Sequence, residues 1–215
     1  MDEKVTAILL KATDLRENDK QVRLFCTERG LITATMRGVK KSTAKLKFAS
    51  QPFAFCEYEL NEKKGNYTIT GATVIEETFS LCSDVNRFAV ASVVAEIVEK
   101  SATAIDSGLL FIVTLKTIKA ILYSTTPLLL IATKFIQKVL SMTGFITLPT
   151  KKESYPDTAK GLLDEIAFLT LDELEVYAST ASEQKIKNAF TIAVRDAEKV
   201  FETQLKSVKF LLEIN

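Results

Sequence analysis

The stretch Met36-Arg-Gly-Val-Lys-Lys-Ser-Thr-Ala-Lys-Leu-Lys-Phe-Ala-Ser-Gln-Pro-Phe53 decides how the amino-terminal part of this 215-residue chain is read. It carries Arg37, Lys40, Lys41, Lys45 and Lys47 within a window, Arg29 to Cys56, that holds no acidic residue. Five cations without internal counter-charge repel one another and resist burial, so the segment belongs on the surface, where a polyanion can neutralise it. Gly38 precedes the lysines and Pro52 follows them, both residues that turn a chain. The segment is therefore expected to be a loop thrown out between two strands.

The flanks agree. Val5 to Leu10 is an apolar run rich in branched residues, and Gln21 to Thr27 alternates, with Val22, Leu24 and Cys26 on one face and Gln21, Arg23 and Phe25 on the other. Leu31 to Met36 follows Gly30, and beyond the loop come Phe53 to Leu60 and Tyr67 to Val74, joined by the polar hairpin connection Asn61 to Asn66. Five short strands with no helical period between them suit a small closed barrel, because closure removes the open edges of a five-stranded sheet. An oligonucleotide-binding (OB) barrel is the first such fold to consider, and an SH3-like barrel stays open. Glu17-Asn18-Asp19 reads as a polar turn, and Gln51-Pro52-Phe53 as the entry to the fourth strand, with the phenylalanine inward.

After Ser80 the period lengthens to about three and a half. Asp84 is placed to cap a helix with Val85, Phe88, Ala91, Val94, Ala95 and Val98 on one face, and a second helix is expected over Ser107 to Tyr123. A third is expected to start with Thr126 as cap and Pro127 at its first position, and to stop at Gly144. Leu148 to Asp157 reads as a loop. Thr170 and Glu173 have capping-box spacing, and Ser182 caps one last, long helix running through Leu212. The fold class is thus α+β, strands first, with a barrel domain over 1–80 and a helical domain over 81–215.

Net charge is only +1, yet Lys11 to Lys47 holds ten Lys or Arg against four Asp or Glu, leaving the remainder at −5. There is no histidine, which removes the usual general base and the commonest metal ligand. The seven glycines form no phosphate-cradling loop and no carboxylates cluster, so an enzyme is disfavoured. Cys26, Cys56 and Cys82 lie 30 and 26 residues apart, too far for the close pairs of a zinc or redox motif, and are expected to be reduced, cytosolic thiols packed as small apolar residues. No membrane span is expected, because the longest uncharged run in the apolar region, Ala120 to Thr133, is interrupted by Pro127 and is shorter than the roughly 20 residues a spanning helix needs.

The order of these features resembles the RecO family of bacterial recombination mediators. The resemblance rests on Lys11 with Arg16-Glu17-Asn18-Asp19-Lys20, then Thr27-Glu28-Arg29-Gly30-Leu31-Ile32, Arg37-Gly38-Val39-Lys40-Lys41-Ser42, Leu46 and Gln51-Pro52-Phe53. It continues in the helical half at Lys134-Phe135 through Leu140, Gly144-Phe145, and Leu205-Lys206-Ser207-Val208-Lys209-Phe210-Leu211. Many members carry a four-cysteine zinc insert after the Gly-aromatic pair, but no cysteine lies between Phe145 and Asn215, so neither zinc nor any other cofactor is expected.

The resemblance implies an OB barrel followed by helices and a non-catalytic role. Such proteins bind single- and double-stranded DNA, anneal complementary strands, engage the acidic tail of single-strand DNA-binding protein and, with RecR, help load RecA recombinase, in the cytoplasm at the nucleoid. By composition alone, a solvated lysine-rich turn explains the loop as well as DNA binding does; the barrel and the resemblance favour DNA. The expected phosphate contacts are Arg37, Lys40, Lys41, Lys45 and Lys47, with Arg16, Lys20 and Arg23 next. Base stacking on Phe25, Phe48, Tyr58 or Tyr67 is less expected, since aromatics at strand spacing usually build barrel walls. Lys134, Lys138, Lys185 and Lys187 are candidates for the basic rim of a groove with an apolar floor that takes the acidic peptide. The rival reading is a protein-interaction module without affinity for nucleic acid.

Overall fold

The computed structural model of the chain describes residues 2–145 and 159–214. The five strands are β1 (Asp2–Asp14), β2 (Lys20–Cys26), β3 (Gly30–Met36), β4 (Phe55–Lys63) and β5 (Asn66–Glu76). They close in the order β1-β2-β3-β5-β4, with β4 returning to β1. All contacts are antiparallel except the closing one, a parallel junction that pairs only Ala34 with Tyr67 and Thr35 with Thr68. This is the OB arrangement, and it sets the SH3-like alternative aside.

Strict alternation on β3 sends Gly30, Ile32, Ala34 and Met36 inward. They meet Val22 and Leu24 of β2 and Tyr58 and Leu60 of β4 in one core. Tyr58 is fully buried there, and its hydroxyl donates to the Ala49 carbonyl at 3.0 Å, so the polar end of the ring is satisfied.

Two details of the strands differ from expectation. The β4–β5 connection is a two-residue turn, Lys64-Gly65, both with positive φ (53° and 76°), because a tight turn of that hand matches the twist of the paired strands. β4 begins at Phe55 rather than Phe53. Phe53 is buried as expected, but its φ of +66° turns the chain so that its N–H donates to the Leu9 carbonyl (2.7 Å) while the Leu9 N–H donates to Ala54 (3.0 Å). These bonds carry the β1–β4 side of the barrel one residue past the Ile8–Phe55 pair.

The helices are α1 (Val85–Ser101), α2 (Ser107–Tyr123), α3 (Leu128–Met142), α4 (Ala159–Ile166), α5 (Leu171–Ala178), α6 (Glu183–Val200) and α7 (Lys206–Ile214). The chain divides into two compact units. One is Met1–Asp84 with Asp106–Phe111; the other is Val85–Ile105 with Ile112–Asn215. In the first unit, Phe111 from the first turn of α2 packs against Phe25 and Phe55, ring centroids 5.6 and 6.1 Å apart.

In the second unit α1 is not amphipathic. Residues 89–98 are buried on nearly every side, since α3 and α7 both pack against it, whereas Val85 stays 54% exposed. α3 starts one residue later than expected, with Pro127 as the capping residue, whose carbonyl accepts from Leu130 and Ile131. The capping box Thr170–Glu173 and the Ser182 cap are formed.

The expected last helix is two. After α6, Glu202 takes a φ of +51°, and the Glu198 carboxylate accepts from the Leu205 N–H at 2.9 Å, which ends one helix and starts α7. α4 has no counterpart in the sequence reading, and the expected loop Leu148 to Asp157 lies outside the described residues. No described helix is long and apolar enough to cross a membrane.

Charged side chains close several of these helices. Glu96 of α1 accepts from the Lys206 and Ser207 N–H groups at the start of α7, at 3.1 and 2.8 Å. Arg87 donates to the carbonyls of Ile121 and Leu122 at the end of α2. Lys134 of α3 donates to the carbonyls of Ile166 and Ala167 at the end of α4, at 2.6 and 2.9 Å.

Candidate nucleic-acid interface

The connection from Met36 to Phe55 leaves the barrel in a conformation dictated by a few residues. Met36 and Val39 point into the core, 1% and 2% exposed, and Gly38 between them has a φ of +64°, a left-handed backbone that glycine adopts without steric cost. Alternate anchoring forces Arg37, Lys40 and Lys41 outward, and all three are exposed. Tight backbone turns follow, Lys41 N–H to the Gly38 carbonyl (3.2 Å) and Ala44 N–H to the Lys41 carbonyl (3.1 Å), then a 3-10 turn over Phe48–Ser50. Lys45 and Lys47 are exposed on this part, while Leu46 and Phe48 pack against the core.

The β1–β2 turn lies against the start of this loop. The Gly38 N–H donates to the Asp19 carboxylate at 2.8 Å, and the Lys40 N–H donates to the Asn18 carbonyl at 3.1 Å. Register pairs Lys20 with Met36, so Lys20 stands beside Arg37. The structure therefore brings the amino-terminal cations of the loop together with Lys20 and the exposed Arg16 of the turn.

One of the five loop cations is paired. Lys40 Nζ sits 2.7 Å from Asp14 Oδ2, and the hydrogen bond holds the Asp14 carboxyl below its ordinary range. The window of the sequence contains no acid, but the fold supplies one from β1. Among the described residues, Arg37, Lys41, Lys45 and Lys47 take part in no ion pair.

Arg23 is farther along β2. Its guanidinium donates to Thr33 Oγ1 at 2.7 Å, and register sets Lys11 on its other side, so Lys11, Arg23 and Thr33 form a polar row across the outer face of β1, β2 and β3. Lys11 is not among the contacts expected from the sequence, because its neighbourhood to Arg23 depends on the bulge, which sequence alone does not display.

The aromatic candidates are mostly occupied. Phe25 and Tyr58 are fully buried, and Phe48 packs on the core. Tyr67 accepts a hydrogen bond from Arg29 at 3.0 Å, with the guanidinium 5.9 Å from its ring centroid, and Arg29 also pairs with Glu3 at 2.7 Å. Burial closes Phe25 and Tyr58 to a base, while Phe48 and Tyr67 are only partly buried.

Of the groove candidates, Lys134 and Lys138 line a cavity of about 870 Å³ within the helical unit, together with Lys116 and Lys119 of α2. Phe135, Phe168 and Leu169 give it apolar wall. Lys185 and Lys187 are not among its lining residues, and Lys187 pairs with Glu183 at 2.7 Å, four residues earlier on α6. The Lys134 ammonium is turned to the carbonyls at the end of α4. Burial and the neighbouring Lys138 charge push its pKa down to about 8. Lys116 and Lys119 had a visible signal, charges spaced three apart in an otherwise apolar helix, but a helical period does not say what each face meets.

Residues 1–78 match the family described as Recombination protein O N terminal. The amino-terminal barrel is similar to the RecO amino-terminal domain. DNA repair protein RecO of Clostridium novyi is 37% identical over 95 residues, which cover 44% of this chain and 37% of that protein. The RecO of Heliobacterium modesticaldum is 35% identical over 94 residues, 44% of this chain and 34% of its own length. That of Caldicellulosiruptor bescii is 31% identical over 96 residues, 45% and 39%. The chain thus matches little more than a third of the length of these RecO proteins, and residues 1–78 of the family match contain every cation of the basic loop. Among the described residues no three His, Cys, Asp or Glu side chains are grouped to hold a metal.

Proposed function

We propose that this chain is a non-catalytic DNA repair and recombination mediator that binds single- and double-stranded DNA through the barrel loop and anneals complementary strands. The observation that carries the reading is the set of exposed, unpaired cations, Arg37, Lys41, Lys45 and Lys47, on the loop of a barrel that matches the RecO amino-terminal domain. Lysine and arginine on phosphates release condensed counterions, giving affinity that ignores sequence, as annealing requires. Neutralising two strands on one surface also lowers the repulsion that opposes their pairing. Arg16, Lys20 and Arg23 extend the surface.

The test is a titration with single-stranded DNA over a range of salt. Replacing Lys40, Lys41 and Lys45 together with Ala lowers affinity and flattens the slope of log affinity against log salt by about 1.4, at roughly 0.7 for each of the unpaired Lys41 and Lys45, Lys40 being held by Asp14. An unchanged slope removes the loop from the interface. Absence of any salt-dependent binding by the parent chain favours the rival, a barrel and helical module that contacts only protein.

The helical groove supports a second part of the reading. An apolar floor beneath Lys116, Lys119 and Lys138 suits an acidic peptide with apolar final residues, such as the tail of single-strand DNA-binding protein. RecR is a further proposed partner, with RecA loading as the indirect result, in the cytoplasm at the nucleoid. Substituting Lys116 and Lys138 with Glu weakens capture of that tail peptide about tenfold or more; equal capture by tail-deleted single-strand DNA-binding protein refutes the groove.

A further inference from the structure

The cationic surface has a feature that charge alone does not explain. Three acids, Asp14, Glu17 and Asp19, stand in or beside the turn that borders it. On a surface built to meet phosphates, each acid lowers affinity by repulsion. Their structural situations differ. Glu17 is exposed at the tip of the turn. Asp14 lies on the Lys40 ammonium. The Asp19 carboxylate instead accepts from a backbone N–H of the loop itself, that of Gly38, and the neighbouring Asn18 carbonyl accepts from Lys40 two residues on. The Asp19 carbonyl in turn accepts from the Leu15 and Arg16 N–H groups, at 3.0 and 3.4 Å, which closes the turn on itself.

From this geometry we infer that Asp19 is a positioning residue for DNA binding: it clamps the root of the basic loop through the Gly38 amide, whereas Asp14 is a tether that competes with phosphate for Lys40. The inference rests on the reading of the loop as the DNA contact. A left-handed glycine is the most permissive joint in a chain, so a loop that starts at Gly38 swings unless its N–H is held. The Asp19 acceptor and the Val39 anchor fix it, and Arg37 and Lys41 are then presented together with a smaller ordering cost at binding.

Asp19→Asn and Asp19→Ala separate the clamp from charge, because both remove the same negative charge while only Asn retains an acceptor for the Gly38 N–H. In titrations of the full chain with a deoxythymidine oligonucleotide, D19N binds at least as tightly as the parent, whereas D19A binds about fivefold to tenfold more weakly than D19N. Asp14→Asn binds about twofold to fivefold more tightly than the parent, and its salt slope steepens by about 0.7, one further contact on a single strand. Glu17→Gln, the charge-only control, tightens binding without the gain in slope. D19A and D19N binding alike overturns the clamp, and D14N behaving like E17Q overturns the tether. Amide exchange gives a measurement that needs no variant: the Gly38 N–H of the parent is protected, and exchange at the rate of an open loop overturns the clamp even if D19A fails to fold. Failure of the underlying reading looks different, since the triple lysine variant then binds DNA as the parent does.

Discussion

At the scale of single residues, position in the fold changes what a charge is for. Lys134 reads as a rim cation in the sequence, yet its ammonium closes the carboxy-terminal end of α4. Its folded pKa of about 8 lies below the ordinary 10.5, so the folded state gives up this proton first as pH rises. Below about pH 8 the group is protonated in both states and the cost of burying the charge is present in full. Between about 8 and 10.5 the unfolded chain holds more protons than the folded one, and the contribution of this group to stability rises with pH. Cys26 acts in the opposite direction, because burial pushes its thiol up to about 12. The comparison that isolates Lys134 is therefore with Lys134→Met: measured by denaturant unfolding, the parent gains on the variant from pH 8 to 10. A difference that stays flat across that interval shows that the ammonium is not desolvated in the fold.

At the scale of elements, the barrel is a ring with unequal joints. Seven or more residue pairs join β1 to β2, β1 to β4, β2 to β3 and β4 to β5, but two join β3 to β5. Amides that bridge Ala34–Thr35 and Tyr67–Thr68 accordingly exchange with solvent before those between β1 and β2, by local opening at the short junction. Equal protection at the two places, followed by native-state hydrogen exchange, contradicts this ranking. The strands themselves were legible, since a half-buried strand repeats every two residues and β3 does so without a fault. Their closure follows from the open edges that a five-stranded sheet would otherwise leave, although the joint itself, a contact of two residue pairs, leaves no periodic trace. The break between α6 and α7 was hidden for a related reason: Phe201 and Leu205 keep the apolar rhythm going, while the signals that stop the helix are a left-handed Glu202 and the Glu198 side chain reaching Leu205. For α1 the spacing predicts a stripe where the helix is buried all round, because spacing within one helix does not count the helices that pack on it. In the candidate site, the exposed cations could be named from composition, whereas Asp14 beneath Lys40 and Asp19 beneath Gly38 required the pairing of β2 with both β1 and β3.

At the scale of the whole molecule, the charge of +1 hides a division between the segment Lys11 to Lys47, at +6, and the remainder, and the basic part coincides with the RecO match over residues 1–78. Evolutionary likeness and physical completeness have different extents, however. Phe25 and Phe55, two of the large side chains of the barrel, are covered by Phe111, which arrives after all of α1. A shortened chain ending at the last matched residue would retain every loop cation and lose that lid, baring two aromatic rings to water. The smallest autonomous version of the barrel is thus not an uninterrupted piece of sequence, and anyone excising it must either graft back a phenylalanine-bearing turn or make the two uncovered rings polar.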